Sequence, residues 1–166
     1  MLKVIGIVGD SEVKNEEELR FVEELSYKLA IMGFVILTGG LGGIMEAASR
    51  GAKKGRGLVL GIIPTLNKSD ANKYVDIVIP TGMGWTRNSL VALTADLLIA
   101  IGGKSGTLSE IAYAWMYGKP IIAVRKFGGW AEKLAGKRID ERRDDVIYAA
   151  DSVEEVLQII NNILHS

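Results

Sequence analysis

The strongest constraint on the fold is a set of short apolar runs that stop abruptly at glycine. The sharpest case is DLLIAIGGKSGTLSEIAYAWMYGKP, residues 96–120. Residues 97–101 read as a buried strand, Gly102-Gly103 as a tight turn, and residues 108–116 as the body of a helix that starts at the turn. Glycine lets such a turn adopt positive φ and approach a ligand closely. The first N–H groups of the helix lack internal partners and carry the positive end of its dipole. The turn therefore predicts an anion site, above all for phosphate, at Gly102, Gly103, Lys104, Ser105, Gly106 and Thr107.

Plainer readings exist for the same residues. Any strand-to-helix turn in an α/β protein needs glycines. Thr107 and Glu110 also fit a capping box, in which Glu110 bonds back to the backbone at residue 107. Gly103-Lys104-Ser105 looks like the end of a P-loop, but Leu98 stands where a P-loop requires glycine, which excludes a nucleoside triphosphatase.

The rest of the chain alternates in the same way. Residues 2–8 form a strand-like run that ends at Gly9-Asp10-Ser11, a loop expected at the edge of a ligand site. Leu19, Val22, Leu25, Leu29 and Met32 give residues 16–32 a helical apolar stripe, stopped by Gly33. Further strands are expected at 34–37, 58–63, 75–79, 120–124 and 146–149, and helices at 44–54 and from near Arg87 through Thr94. One helical turn is expected at 130–134, within a charged stretch, and a final helix through Leu164 capped by Asp151 with Glu154. Residues 65–74 read either as a loop over the site or as a solvated connection. Arg87 reads either as a planar clamp for a phosphate or base, or as an exposed arginine on a first helical turn.

This alternation predicts one α/β domain over residues 1–166, doubly wound, with a mainly parallel sheet and helices on both faces. Ligands in such sheets bind at the carboxyl ends of the strands. The turns at Gly9, at 39–43, at Gly82 and at 102–106 should thus gather on one edge. The dinucleotide fingerprint G-x-G-x-x-G is not matched in the second glycine turn.

Composition narrows the chemistry. Apolar residues make up 48% of the chain, so it can build a core. A net charge of +0, with Lys137 to Arg143 the one basic block and that mixed with acids, predicts neither nucleic acid nor an acidic membrane as partner. There is no cysteine, and the sole histidine is His165, so a single-chain His/Cys zinc site and a serine–histidine triad are excluded, and no metal site is expected. Met1 leads directly into a strand-like run without a cleavage site, and no apolar segment is long enough to span a bilayer. A cytoplasmic protein is expected.

Three motifs carry a family resemblance, in family order. The run from Gly102 to Glu110 resembles the P-G-G-x-G-T-x-x-E signature of the LOG family, which contains cytokinin-riboside monophosphate phosphoribohydrolases and proteins once labelled lysine decarboxylases. Gly39-Gly40-Leu41-Gly42-Gly43-Ile44-Met45-Glu46 resembles the family's G-G-G-x-x-G-L-M-G. Met83-Gly84-Trp85-Thr86-Arg87-Asn88 sits where the family has M-H-x-R-K. Ile101, Trp85, Asn88 and Glu46 depart from the signatures, in ways that look closer to the molybdenum-cofactor carrier branch of the superfamily.

The resemblance implies a Rossmann-like fold and a small phosphorylated ligand, either an AMP-like nucleotide or molybdopterin, with no further cofactor required. It implies phosphate or nucleotide contacts at Gly9, Gly39, Gly40, Gly42, Gly43, Asn88 and the loop from Gly102 to Thr107. In the hydrolases a glutamate and an arginine act on the N-glycosidic bond, and these map to Glu110 and Arg87. A carrier would hold the same phosphate without cutting anything, so hydrolase and carrier both stay open. The near-uniform apolar character of residues 111–116, with Leu90, Val91 and Leu93, predicts a homodimer through these helices.

Overall fold

Five-residue runs such as Leu97–Ile101, buried along their whole length, can only lie inside a sheet covered on both faces. The computed structural model, which describes residues 1 and 3–165, has seven strands in one sheet, with the fully buried ones at its centre and the edge strands partly exposed. They are β1 Val4–Val8, β2 Val35–Thr38, β3 Val59–Ile63, β4 Ile77–Pro80, β5 Leu97–Ile101, β6 Ile121–Val124 and β7 Tyr148–Ala150. The spatial order is β4-β3-β2-β1-β5-β6-β7, and every neighbouring pair is parallel. The expected α/β, doubly wound architecture is present, and the sheet is wholly rather than mainly parallel. Leu2, placed in the expected first strand, lies outside the described residues.

Helices connect the strands: α1 Glu16–Ile31, α2 Ile44–Lys54, α3 Asn88–Thr94, α4 Ser105–Met116, α5 Gly129–Leu134 and α6 Val153–Leu164. One apolar core lies between the sheet and α1, α2 and α6, with Val22, Leu25, Ile44 and Val156 at its centre. The other lies beneath α3, α4 and α5, around Val91, Ile111, Trp115 and Ala131. Among the described residues no helix is long and apolar enough to cross a membrane.

Local chemistry sets the ends of the elements. The Asn15 side chain accepts from the N–H groups of Glu17 and Glu18 and so starts α1, with three glutamates in the first turn facing the positive dipole end. The start of α6 differs from expectation. Ser152 is the cap, its Oγ accepting from Glu155 N at 3.2 Å. Asp151 is unavailable because its carboxylate is held by the Arg125 guanidinium. The last strand begins later than expected because Ile147 N donates to Lys137 O at 2.9 Å, tying that segment to the charged stretch instead of to β6. That stretch is itself anchored: Trp115 Nε1 donates to Asp140 at 2.8 Å, and the Arg143 guanidinium lies 4.6 Å from the Trp115 ring centre.

Helices α1 and α2 pack unusually closely. Ser26 Oγ donates to Ala48 O at 2.6 Å across the contact. A Cβ at Gly51, in the middle of α2, would lie 2.2 Å from Glu23 O. In an open helix Gly→Ala would stabilise by about 1 kcal/mol. Here the overlap is with backbone, which cannot swing aside, and overpacking of this kind costs about 1–3 kcal/mol. Gly51→Ala should therefore lower the urea midpoint; a raised midpoint would show that the helices separate at little cost.

Candidate functional site

The order of strands opens a crevice. The chain builds outward from β1 through β2, β3 and β4, then crosses back to place β5 on the other side of β1. Loops leaving β1 and β5 thus diverge at their carboxyl ends, the switch point where doubly wound sheets bind ligands. A cavity of about 270 Å³ lies there. It is bounded by Gly9 and Asp10 after β1, by Gly39, Leu41 and Met45 around the β2–α2 turn, and by Trp85, Arg87 and Asn88 before α3. The first turns of α4 close it through Lys104, Ser105, Gly106, Thr107 and Glu110.

Helix α4 begins at Ser105, with Lys104 as its N-cap and no side chain capping it. The Thr107–Glu110 capping box is therefore absent. Gly102 and Gly103 both have positive φ, 57° and 97°, which lets the chain enter the helix before Thr107 is reached. Among the described residues no group accepts a hydrogen bond from the N–H of Ser105, Gly106 or Thr107. Those donors carry the partial positive charge of the helix end.

The preceding amide is already used. Lys104 N donates to Asp10 Oδ1 at 3.1 Å, and the Asp10 carbonyl accepts from Ile44 N at 3.0 Å. One residue after β1 thus ties the starts of α2 and α4 together. Gly43 makes this possible, since a Cβ there would lie 2.2 Å from Asp10 O.

Arg87 is not an exposed first-turn residue. It is 5% exposed, at the end of a 3₁₀ turn, Gly84–Arg87. Its Nε donates to Ile62 O at 2.8 Å, one terminal nitrogen to Gly39 O at 3.2 Å, and the other to Asn88 Oδ1. Asn88 in turn donates to Ser109 Oγ at 3.0 Å, joining this segment to α4. Burial lowers the Arg87 pKa while nearby Glu110 raises it. Glu110, 7% exposed, has its pKa pushed up to about 8 by burial, against the pull of Arg87. At neutral pH this carboxyl mostly holds its proton.

Of the residues expected from sequence, Gly9, Gly39, Arg87, Asn88, Lys104, Ser105, Gly106, Thr107 and Glu110 line this one cavity. Gly40, Gly42, Gly43, Gly102 and Gly103 do not; they shape the loops behind it. Gly40 packs on Ile63 and Gly102 on Glu18, and Gly103 lies under the Thr107 side chain. Asp10 and Ser11, expected at the edge of the site, line the cavity too, as do Trp85 and, from the second glycine motif, Leu41 and Met45, which carried no assigned contact. Among the described residues no group of three or more His, Cys, Asp or Glu could hold a metal ion.

Residues 2–157 match the family described as the SLOG cluster4 family. The structure superposes on the molybdenum cofactor binding protein of Rippkaea orientalis with a TM-score of 0.87 and 35% identity, covering 99% of this chain and 98% of that one. It superposes on the molybdenum cofactor carrier protein of Chlamydomonas reinhardtii with a TM-score of 0.83 and 29% identity, covering 99% of each chain. The cytokinin riboside 5′-monophosphate phosphoribohydrolase of Mycobacterium tuberculosis is 26% identical over 96% of this chain and 92% of its own length.

Two expectations follow from the geometry. A Cβ at Gly106 would meet only Asn88 Nδ2, at 3.8 Å, so Gly106→Val should fold normally. Its side chain would stand among the free α4 amides, and binding of inorganic phosphate or AMP should fall at least tenfold by calorimetry; unchanged affinity would remove the loop from the site. For Glu110, the folded pKa lies above the ordinary 4.5. The unfolded chain therefore ionises first as pH rises, and stability is lost between about pH 4.5 and pH 8. Glu110→Gln escapes that loss. Its melting temperature should gain on the wild type between pH 5 and pH 8; a constant gap would mean that Glu110 is not held protonated.

Proposed function

The chain belongs to the SLOG cluster4 family, and from that premise we propose that it binds and carries a phosphorylated ring cofactor of the molybdopterin type. The observation that carries this reading is the set of α4 amides, Ser105 to Thr107, without protein acceptors at the switch-point cavity. A terminal phosphate would accept from these N–H groups and from the Ser105 and Thr107 hydroxyls. Arg87 would keep the Gly39 turn in place, since its donors are engaged by the backbone carbonyls of Ile62 and Gly39. Likeness over nearly the whole chain to proteins described as binding or carrying molybdenum cofactor supports the same choice.

A second reading is favoured by Arg87 and Glu110 facing one cavity: hydrolysis of a nucleoside 5′-monophosphate. Water would attack the anomeric carbon, the N-glycosidic bond would break, and the departing base would take a proton. Cleavage builds positive charge on the ribose, which an ionised carboxylate would stabilise. Glu110 is mostly protonated at neutral pH, so it suits proton donation to the base instead. The carrier reading needs no such step.

Incubation with a panel of nucleoside monophosphates, following free base and ribose 5-phosphate, separates the two. Carriage predicts retention of molybdopterin through gel filtration and no release of base. If base is released, and Glu110→Gln folds, binds and loses about a hundredfold or more in rate, the hydrolase reading replaces it.

We further propose a homodimer through α3 and α4. Leu93, Met116 and Tyr117 are exposed on these helices, and Leu90 and Tyr113 are half-buried beside them, whereas Ile111, Ala114 and Trp115 face the core. Light scattering should report a dimer at micromolar concentration; a monomer there would reject this interface.

A further inference from the structure

Trp85 is 84% exposed, yet it lines the cavity and stands on a fixed base. On its carboxyl side, Arg87 is held by the carbonyls of Ile62 and Gly39. On its amino side, Gly84 N donates to Pro64 O at 3.0 Å and Thr81 N to Ile63 O at 3.1 Å. These bonds fix the backbone on both sides of Trp85, so its indole projects from a set position at the rim. The cavity itself, about 270 Å³, is at or below the lower end for small-molecule sites. Trp85 stands at its rim, exposed to solvent, beside the first turn of α4. Leu41 and Met45 add apolar surface to the same cavity.

We infer that Trp85 is the specificity-determining residue of this site, a stacking platform for a planar heteroaromatic ring whose phosphate sits on the α4 amides. This deepens the proposed function and rests on its phosphate reading, but it holds for a pterin and for a purine alike. Every heteroaromatic ring offers a π-face, and stacking of a base on an aromatic side chain strengthens binding by roughly one to two orders of magnitude.

The test compares AMP with ribose 5-phosphate by calorimetry on the full chain. Wild type should bind AMP at least about tenfold more tightly. Trp85→Ala should remove that margin while leaving ribose 5-phosphate within about twofold, and Trp85→Phe should restore most of it. Two outcomes overturn the platform alone: a margin that survives Trp85→Ala, or phosphate ligands that bind wild type with no preference for AMP. Equal weakening of both ligands, together with a changed oligomeric state in light scattering, would make Trp85 an interface residue instead. If wild type binds neither ligand nor inorganic phosphate, the phosphate reading falls, and the platform with it.

Discussion

Everything at the site depends on where the chain changes direction across β1. Four strands lie on one side of the switch, counting β1 itself, and three on the other. Because all are parallel, each connection must recross the sheet, and every strand delivers its carboxyl end to the same edge. At the switch the connections run to opposite sides, and the cavity opens beside the ends of β1 and β5. Helices α2 and α4 both start beside that space, and Asp10 bonds to the first turn of each. The cavity is thus a consequence of topology, and its width is set by one residue holding two helix ends.

The second organising feature is the buried pair of Arg87 and Glu110. Burial opposes both charges, lowering one pKa and raising the other, while their mutual attraction offsets part of each shift. For Glu110 burial wins, and the site presents a neutral acid. For Arg87, carbonyl oxygens from the β2 and β3 ends replace the lost water. An anion on the α4 amides would add negative potential nearby and favour the protonated form of Glu110 further. Anion binding there and a neutral Glu110 would therefore reinforce each other.

The division between sequence and structure falls along the range of the interactions. Apolar runs of four or five residues, the stripe of Leu19, Val22, Leu25 and Leu29, and glycines at the strand ends are local patterns. They determined the alternation of elements, the doubly wound class and the glycine turn that opens α4, because backbone geometry and burial periodicity act within a few residues. Errors at this level were small and came from partners outside the local pattern, such as Ser152 taking the cap once Asp151 was paired with Arg125, 26 positions away.

Tertiary structure alone decided the rest. Asp10 meets Lys104 across 94 positions, and Arg87 reaches carbonyls 25 and 48 positions away; no spacing rule links such partners. The capping role open to Glu110 fell only when α4 proved to begin at Ser105, leaving its carboxyl buried with its pKa raised to about 8. The glycines of the second turn divided in the same way. Gly39 reached the cavity, while Gly40, Gly42 and Gly43 went to packing behind it, because what a glycine faces is set by the neighbours that folding brings to it. Sequence determined that a helix end with unpaired N–H groups would follow the glycine turn, because that follows from chain-local hydrogen bonding. Which residues surround that end, and in which protonation state, was fixed by the packing of distant strands around β1.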